Sequence, residues 1–529
     1  MVRIPFNKPP FFADSFDAAV QASIAAGKFS GDGISSKKCT DFFKNRFGFD
    51  HTLLTPSCTA ALEMTALILD LGPGDEVIVP SFTFVTSASA FALRGVKLIF
   101  ADSEKDQPNV SVLDILKKVT SNTKAIVVVH YAGVPVDVHK ILKETNNSIP
   151  IVEDCAHAID FIDPRTDQYV GKAGCLATFS FHETKNIGVG EGGLLVVNDE
   201  KLWRKAQIAR EKGTNRTDFL SGRAAFYTWV DLGSSYLMSD VDASMLWGTL
   251  QHIDEIQKAR LGIWNAYNAK IICPPNSNCV YKKPSESMRA NAHMYYLEFH
   301  DPVVRSQFCK FMNANDILVA THYLPLDSSP FVDEQRKNGS FPKGDPCVQA
   351  AAWSRSLVRL PLFYDLSTTE LEEVISAVNI FAASNAARKS DIHLVAAEEK
   401  YWHFILQLRN DNSESFTQTK QITTNEHWNF MRKHKNTYRV AVQVQDGKFV
   451  GFIGHVKKDA RLATNNKGKG VAKFMWESFV QEVGSDLDVK VLLHNKRSLS
   501  FFGKLGYFPD TKSLEEGENP VTLRKVQDF

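Results

Sequence analysis

The sequence predicts an α/β protein: a mostly parallel sheet with flanking helices in the larger N-terminal part, then a second, smaller α/β domain. Three observations predict it. Short apolar runs alternate with helical stretches from Leu53 to Val197. A small, polar stretch, Ala382-Ala-Ser-Asn-Ala-Ala-Arg-Lys-Ser-Asp391, interrupts the pattern. The 529 residues exceed what one core holds, so two or three domains are expected.

Taken in order, Lys38 to Phe47 reads as an amphipathic helix. Leu53-Leu-Thr-Pro-Ser57-Cys58-Thr59 reads as a strand turning into a helix that ends near Leu71. The start of such a helix, with its free N–H groups and positive dipole end, suits a phosphate, although Ser57 can equally be an ordinary cap. Strands follow at Glu76 to Pro80, Val96 to Asp102, Ala125 to His130, Ile149 to Val152, Leu176 to Phe181 and Leu194 to Val197. In such sheets the loops at the carboxyl ends of the strands carry the site. Phe84 lies in one of them, where it can stack on a cofactor ring or belong to the core. Asp154, at another strand end, suits a buried cation such as a pyridinium N–H. His157, three residues on, is a contact beside that pair or a packed histidine.

The lysine of Ser180-Phe-His-Glu-Thr-Lys185-Asn186 sits in a loop between two apolar strands, with Gly190-Glu-Gly-Gly193 beyond it. A desolvated amine there, with backbone glycines beside it, suits a Schiff base to pyridoxal phosphate (PLP). A loop lysine alone is more often a surface residue. The phosphate turn and Asp154 tip the balance.

Composition excludes other classes. Net charge is +1, too little for a nucleic-acid or anionic-membrane footprint. No apolar run approaches a membrane span, and the first residues lack the core of a signal peptide. The eight cysteines show no Cys-x-x-Cys pair, so reduced thiols in a cytoplasmic protein are expected, with no zinc site and no other metal.

Ordered matches then carry a resemblance. Pro56-Ser-Cys-Thr-Ala, Pro80-Ser-Phe-Thr-Phe-Val, Val129-His-Tyr-Ala-Gly, Val152-Glu-Asp, Ser180-Phe-His-Glu-Thr-Lys-Asn, Gly233-Ser-Ser-Tyr-Leu-Met-Ser-Asp240, Asn291-Ala-His-Met-Tyr-Tyr, His322-Tyr-Leu-Pro-Leu and Arg359-Leu-Pro-Leu-Phe-Tyr follow one another. Residues 3 to 382 so resemble the DegT/DnrJ/EryC1/StrS sugar-nucleotide aminotransferases, which have the aspartate aminotransferase fold (PLP fold type I). They are most similar to the branch that makes dTDP-4-amino-4,6-dideoxygalactose from dTDP-4-keto-6-deoxyglucose. The resemblance implies that Lys185 forms the Schiff base and moves the proton, Asp154 pairs with the ring nitrogen, His157 lies near the ring and Phe84 stacks on it. It implies Ser57, Cys58, Thr59 and Ser180 at the cofactor phosphate, with His182, His322 and Tyr323 toward the substrate. It implies a homodimer with shared sites, in which Ser235 stands where the wider family has an asparagine reaching the partner's phosphate, and Leu237 where it has an arginine.

The chain is expected to divide into residues 1–382, a linker at 383–398 and a domain at 399–529. In the last, Tyr438 to Val444 and Phe449 to Val456 read as a hairpin turning at Gln445-Asp-Gly-Lys448. Asn465-Asn-Lys467-Gly468-Lys469-Gly470-Val471 opens a helix and can cradle a pyrophosphate, though it is neither a Walker nor a Rossmann motif. With the strand Val489 to Leu493, Asn495 and Phe502-Gly-Lys-Leu-Gly-Tyr507, this order resembles a GNAT-family N-acetyltransferase. The resemblance implies acetyl-CoA held at Lys467, Gly468, Lys469, Gly470, Val471 and Asn495. Phe502 stands where many members have an acidic tyrosine; His494, Tyr507 and His455 are the candidates to replace it. The expected whole is a bifunctional enzyme that moves an amino group from glutamate to a dTDP-sugar and then acetylates it. The rivals are transamination at C3, an inert second domain and, against the absence of a basic stripe, a DNA-binding regulator.

Overall fold

In the computed structural model of the protein, the described residues are 3–273, 279–390, 392–411, 421–443, 449–456, 459–464, 471–483, 487–491, 498, 501–502, 505, 507–509 and 521–525. The chain forms two compact units, Met1–Ala382 and Ala383–Phe529.

The first unit opens with helices α1 (Ala13–Ala25) and α2 (Ile34–Phe47). The chain leaves α2 at Gly48, whose φ of 67° is left-handed, and the Gly48 N–H donates back to the Lys44 carbonyl at 2.9 Å. Next come strand β1 (Thr52–Thr55), helix α3 (Cys58–Ile68), β2 (Glu76–Pro80), helix α4 (Thr86–Ala92), β3 (Lys97–Ala101), β4 (Thr123–Val129) and β5 (Ile151–Asp154). A short hairpin, β6 (Ile162–Asp163) and β7 (Gln168–Tyr169), precedes β8 (Leu176–Ser180) and β9 (Gly193–Val197). The main sheet runs β1-β9-β8-β5-β4-β2-β3. Strand β9 is antiparallel to both its neighbours, and the pairings from β8 to β3 are parallel. Residues such as Ile126, Val127, Val128, Val152, Ala177 and Leu195 are buried on both faces, as a sheet covered on two sides requires.

A second layer of this unit centres on a small antiparallel sheet, β10 (Tyr281–Lys282), β11 (Tyr296–Phe299) and β12 (Leu357–Arg359). It packs with Trp264, Tyr267, Phe308 and Val374 into a core of its own. The helix Thr368–Ser390 carries the chain across the boundary between the units.

The second unit is a sheet in the order β13-β14-β15-β16-β17-β19-β18: Ile392–Ala396, Tyr438–Gln443, Phe449–Val456, Asp459–Thr464 and Asp488–Val491, then Val521–Lys525 and, at the edge, Tyr507–Pro509. Only β16 and β17 pair in parallel. One face packs on the helix Val471–Val483 through Met475, Trp476 and Phe479. The other packs on the helices Trp402–Asp411 and Thr424–His434 through Trp402, Ile405 and Met431. Among the described residues no helix is long and apolar enough to cross a membrane.

The stretch read as a linker, 383–398, is helix as far as Ser390 and then strand β13. Its alanines favour helix, a preference that its polarity conceals. Strand β16 was absent from the sequence reading, and the turn expected at 445–448 lies outside the described residues. Gly48→Ala is expected to cost the first unit about 1 kcal/mol, the penalty of a Cβ in left-handed backbone. Only the flexible Lys172 amine stands in the way of the new methyl, so the backbone term dominates. A thermal unfolding scan against the parent checks it.

Candidate active site

Strand β8 ends at Ser180, and the loop before β9 brings Lys185 to the carboxyl end of the sheet. The Lys185 N–H donates to the His182 carbonyl at 2.9 Å, which fixes the backbone of the loop. Among the described residues no carboxylate forms an ion pair with its amine. Burial pulls that amine down to about 8, Cys58 and Asp154 nearby oppose the shift, and the positive Arg359 adds to it. An amine so treated gives up its proton close to neutrality, as a nucleophilic or proton-shuttling lysine must.

Asp154 is the last residue of β5 and is buried. Its Oδ2 accepts from Ser87 Oγ at 2.7 Å and its Oδ1 from the Ala156 N–H at 3.1 Å. Its neighbour Glu153 points to the opposite face, as strand alternation dictates. There Glu153 accepts from His130 Nε2 at 2.9 Å and from the N–H groups of Ala173 and Gly174 at 2.9 and 2.6 Å. His130, Glu153 and Cys155 are close enough together to look like metal ligands. However, His130 Nδ1 already accepts the Val136 N–H at 3.0 Å, so neither ring nitrogen has a lone pair to give. The cluster braces the loop behind Asp154.

His157 is buried, stacks on His293 at 4.1 Å and meets Tyr131 edge-on at 5.6 Å. Desolvation, then the positive charges of Lys185 and Arg359, keep His157 neutral, and its Nδ1 has no hydrogen-bond partner. His293 is held from behind. Asn186, the residue after Lys185, donates through Nδ2 to Gln257 Oε1 and to the Asn291 carbonyl, each at 2.9 Å. That orientation turns its Oδ1 to His293 Nδ1 at 2.8 Å, so the His293 proton sits on Nδ1. Asn291 Nδ2 in turn donates to the carbonyls of His157 and Ile159 at 2.9 and 2.8 Å. One amide network thus links the Lys185 loop to the His157 loop.

At the start of α3, Ser57 Oγ accepts the Ala60 N–H at 3.1 Å. Among the described residues the N–H groups of Cys58 and Thr59 find no hydrogen-bond acceptor. Burial raises the Cys58 thiol well above its ordinary range, so it is not a thiolate. A Cβ on Gly193 would lie 2.3 Å from the Ser57 carbonyl carbon, so β9 reaches this turn only because residue 193 has no side chain. Ser180 Oγ accepts the His182 N–H at 3.4 Å, and His182 Nδ1 contacts Thr184 Oγ1 at 2.9 Å.

Phe84 is 56% exposed, its ring 6.3 Å from that of Tyr323. Tyr323 stacks on His322 at 4.1 Å. Ser235 is exposed on a segment bridged to Glu211. In the second unit, Lys467, Gly468, Lys469, Gly470, His494 and Asn495 lie outside the described residues, and Val471 begins the helix Val471–Val483. Phe502 and Tyr507 are core residues against Trp476, at 4.9 and 5.3 Å, and His455 lies 5.8 Å from the Phe479 ring.

Sequence reasoning missed Arg359, His293, Asn186 and Asn291 as working residues. All four stand inside stretches that carried the resemblance; Asn186 follows Lys185 in the chain, but only the fold brings Arg359, His293 and Asn291 to that loop. The model of the DegT/DnrJ/EryC1/StrS aminotransferase family matches residues 12–379. Solved structures of similar fold include the aminotransferase TlmJ from Streptoalloteichus hindustanus, at 24% identity and a TM-score of 0.63, over 72% of this chain and 99% of that one. Helicobacter pylori PseC, an aminotransferase involved in the biosynthesis of pseudoaminic acid, aligns at 21% identity and 0.64, over 72% and 99%. Streptococcus pneumoniae Spr1654 in its PLP form aligns at 23% and 0.62, over 72% and 99%.

The depressed amine gives a direct test. Reductive methylation with formaldehyde, followed at Lys185 by mass spectrometry across pH, should show a rate midpoint near 8. In Asp154→Asn the midpoint should fall further, because a negative charge that favours the protonated amine is gone.

Proposed function

Because the chain belongs to the DegT/DnrJ/EryC1/StrS aminotransferase family, we propose that its first unit is a PLP-dependent sugar-nucleotide aminotransferase. The observation that carries the reading is the desolvated, unpaired amine of Lys185 beside the anchored carboxylate of Asp154. The residues fit the cofactor. Cys58 and Thr59 offer two free N–H groups at the start of an 11-residue helix, Gly193 leaves the turn open to close approach, and His157 Nδ1 is an orphan. PLP, when bound, supplies a carbonyl that captures amines and a ring that withdraws electrons.

The chain's own groups do the rest. Ser57, Cys58, Thr59 and Ser180 receive the phosphate, with the helix dipole behind them. Ser87 and the Ala156 N–H aim the Asp154 carboxylate at the ring nitrogen, where a charge-assisted bond keeps a proton. Phe84 covers the ring face. His157, neutral, packs beside it without adding charge next to Lys185. Lys185 takes the proton from the α-carbon of glutamate and returns it at the acceptor sugar. We place His182, His322 and Tyr323 toward the sugar. The acceptor is dTDP-4-keto-6-deoxyglucose and the product dTDP-4-amino-4,6-dideoxygalactose.

The exposed segment that carries Ser235 supports a homodimer. Leu220, Phe226, Trp229 and Leu232 are exposed there, with Phe226 and Trp229 at 79% and 74%, a surface that water does not favour. In the dimer this segment serves the neighbouring site. The second unit, in the same proposal, is a GNAT-type N-acetyltransferase that takes acetyl-CoA. Strands β16 and β17 pair in parallel at Asp459–Asp488 and Ala460–Val489, and the helix Val471–Val483 stands between them in the chain, an order that supports this reading. The enzyme is cytoplasmic and acts on soluble reactants.

Purified protein given PLP should absorb in the visible, and borohydride should fix the cofactor to Lys185. Lys185→Ala should lose the band and the reaction. Asp154→Asn should keep the band and lose about 100-fold or more in turnover. Mass spectrometry of the products from dTDP-4-keto-6-deoxyglucose, glutamate and acetyl-CoA tests the whole. A free amino sugar that is never acetylated would remove the second activity; no amino sugar at all would remove the first.

A further inference from the structure

Arg359 ends β12 at a buried position, and among the described residues no carboxylate lies within ion-pair distance of it. Its Nη1 donates to His322 Nε2 at 2.7 Å, and its guanidinium carbon lies 4.7 Å over the Phe6 ring. Tyr131 Oη meets the other nitrogen of His322 at 3.3 Å, so His322 is a neutral acceptor held in place. Those contacts use one edge and one face of the guanidinium. Among the described residues the remaining edge, Nε and Nη2, donates to no acceptor, and Nε is fully buried without one. That edge is the one whose two parallel N–H groups match a carboxylate.

Arg260 makes the contrast. It is as buried, but its Nε and Nη2 donate to the carbonyls of Ala292 and His293 at 3.2 and 2.8 Å. Arg260 is therefore a satisfied structural residue, and Arg359 is not. A charge buried without a counter-ion is costly, and it persists where a ligand completes it.

We propose that Arg359 receives the α-carboxylate of the amino donor through its Nε/Nη2 edge, with His322 and Tyr131 holding the fork in position. The inference rests on the aminotransferase reading of Lys185. Two features favour a carboxylate over the diphosphate of the sugar nucleotide, the other oxyanion at hand. The charge of Arg359 acts on Lys185, His157 and His293, so it belongs to the reacting centre. An α-carboxylate sits on the carbon that carries the migrating amine, whereas a diphosphate lies beyond a sugar ring from its reacting carbon. Moreover, burial and the Arg359 charge keep His322 neutral, so of this hydrogen-bonded pair Arg359 alone carries a charge, which one carboxylate balances.

The test titrates holoenzyme calorimetrically with 2-methylglutamate, which has the α-carboxylate but no hydrogen for Lys185 to remove. Thymidine diphosphate is the second ligand. Arg359→Gln should weaken 2-methylglutamate about 100-fold and Arg359→Lys about 10-fold, with thymidine diphosphate unchanged within about twofold. Without ligand, the melting midpoint of Arg359→Gln should not fall below the parent, since an unpaired buried charge has gone. Should neither variant fold, the parent still decides: 4-aminobutyrate, which is glutamate without its α-carboxylate, should bind about 100-fold more weakly than 2-methylglutamate. Unchanged 2-methylglutamate affinity in Arg359→Gln, equal binding of the two amines by the parent, or a loss confined to thymidine diphosphate overturns the proposal. A parent protein with no visible band and no reaction with glutamate fails the aminotransferase reading itself, a separate result.

Discussion

An amine removed from water and left without a partner is the constraint on which the rest of the first unit depends. Desolvation alone would drive Lys185 toward the neutral form, and a bonded carboxylate would restore its charge. The fold does neither completely. Asp154 acts on the amine but spends its hydrogen bonds on Ser87 and Ala156, while Arg359 pushes from the other side. The result is an amine poised near neutrality rather than locked in one state. Such a balance survives only on a rigid frame, and the frame is a sheet buried on both faces whose strand ends cannot drift.

Around that amine the polar groups are either fully satisfied or conspicuously not. Asn186, Asn291, Gln257 and Arg260 form a closed set of bonds that fixes the Lys185 and His157 loops together. Buried polar networks rigidify when complete and destabilise when half made. The exceptions near the amine include His157 Nδ1, Thr178 Oγ1 and Arg359 Nε, and in the proposed reading reactants supply the missing bonds of the first and the last. In the second unit His427 Nε2 and Tyr507 Oη are the buried side-chain atoms without a partner among the described residues. Tyr507 lies among the rings of Trp476 and Phe502.

Much of this was legible before any fold was drawn. The strand Glu76–Pro80 was read to the residue, and Lys185 and Asp154 came from strand-end position and residue chemistry. Periodicity and turn residues are local, so they survive translation into sequence. Arg359 did not. What sets it apart is a buried Nε that finds no acceptor among the described residues, and a missing partner has no sequence pattern. His293 was equally silent: Asn-Ala-His reads as an ordinary loop until Asn186 arrives at its Nδ1. The misread linker has the opposite cause, since small polar residues resemble a tether although alanine favours helix.

The single antiparallel strand bears on the order in which the protein can assemble as it is made. Strand β1 is the first of the sheet to be synthesised, yet its only neighbour there is β9, the last. Strands β2 to β5 and β8 can pair among themselves while the ribosome is still at work. Until Gly193–Val197 emerges, β1 is a nascent edge with its ladder unmade, and the turn at Ser57 that follows it has nothing to close against. The turn at Ser57 is thus among the last parts of the sheet to be closed. A newborn chain is exposed to chaperones and wrong strand partners for as long as that takes.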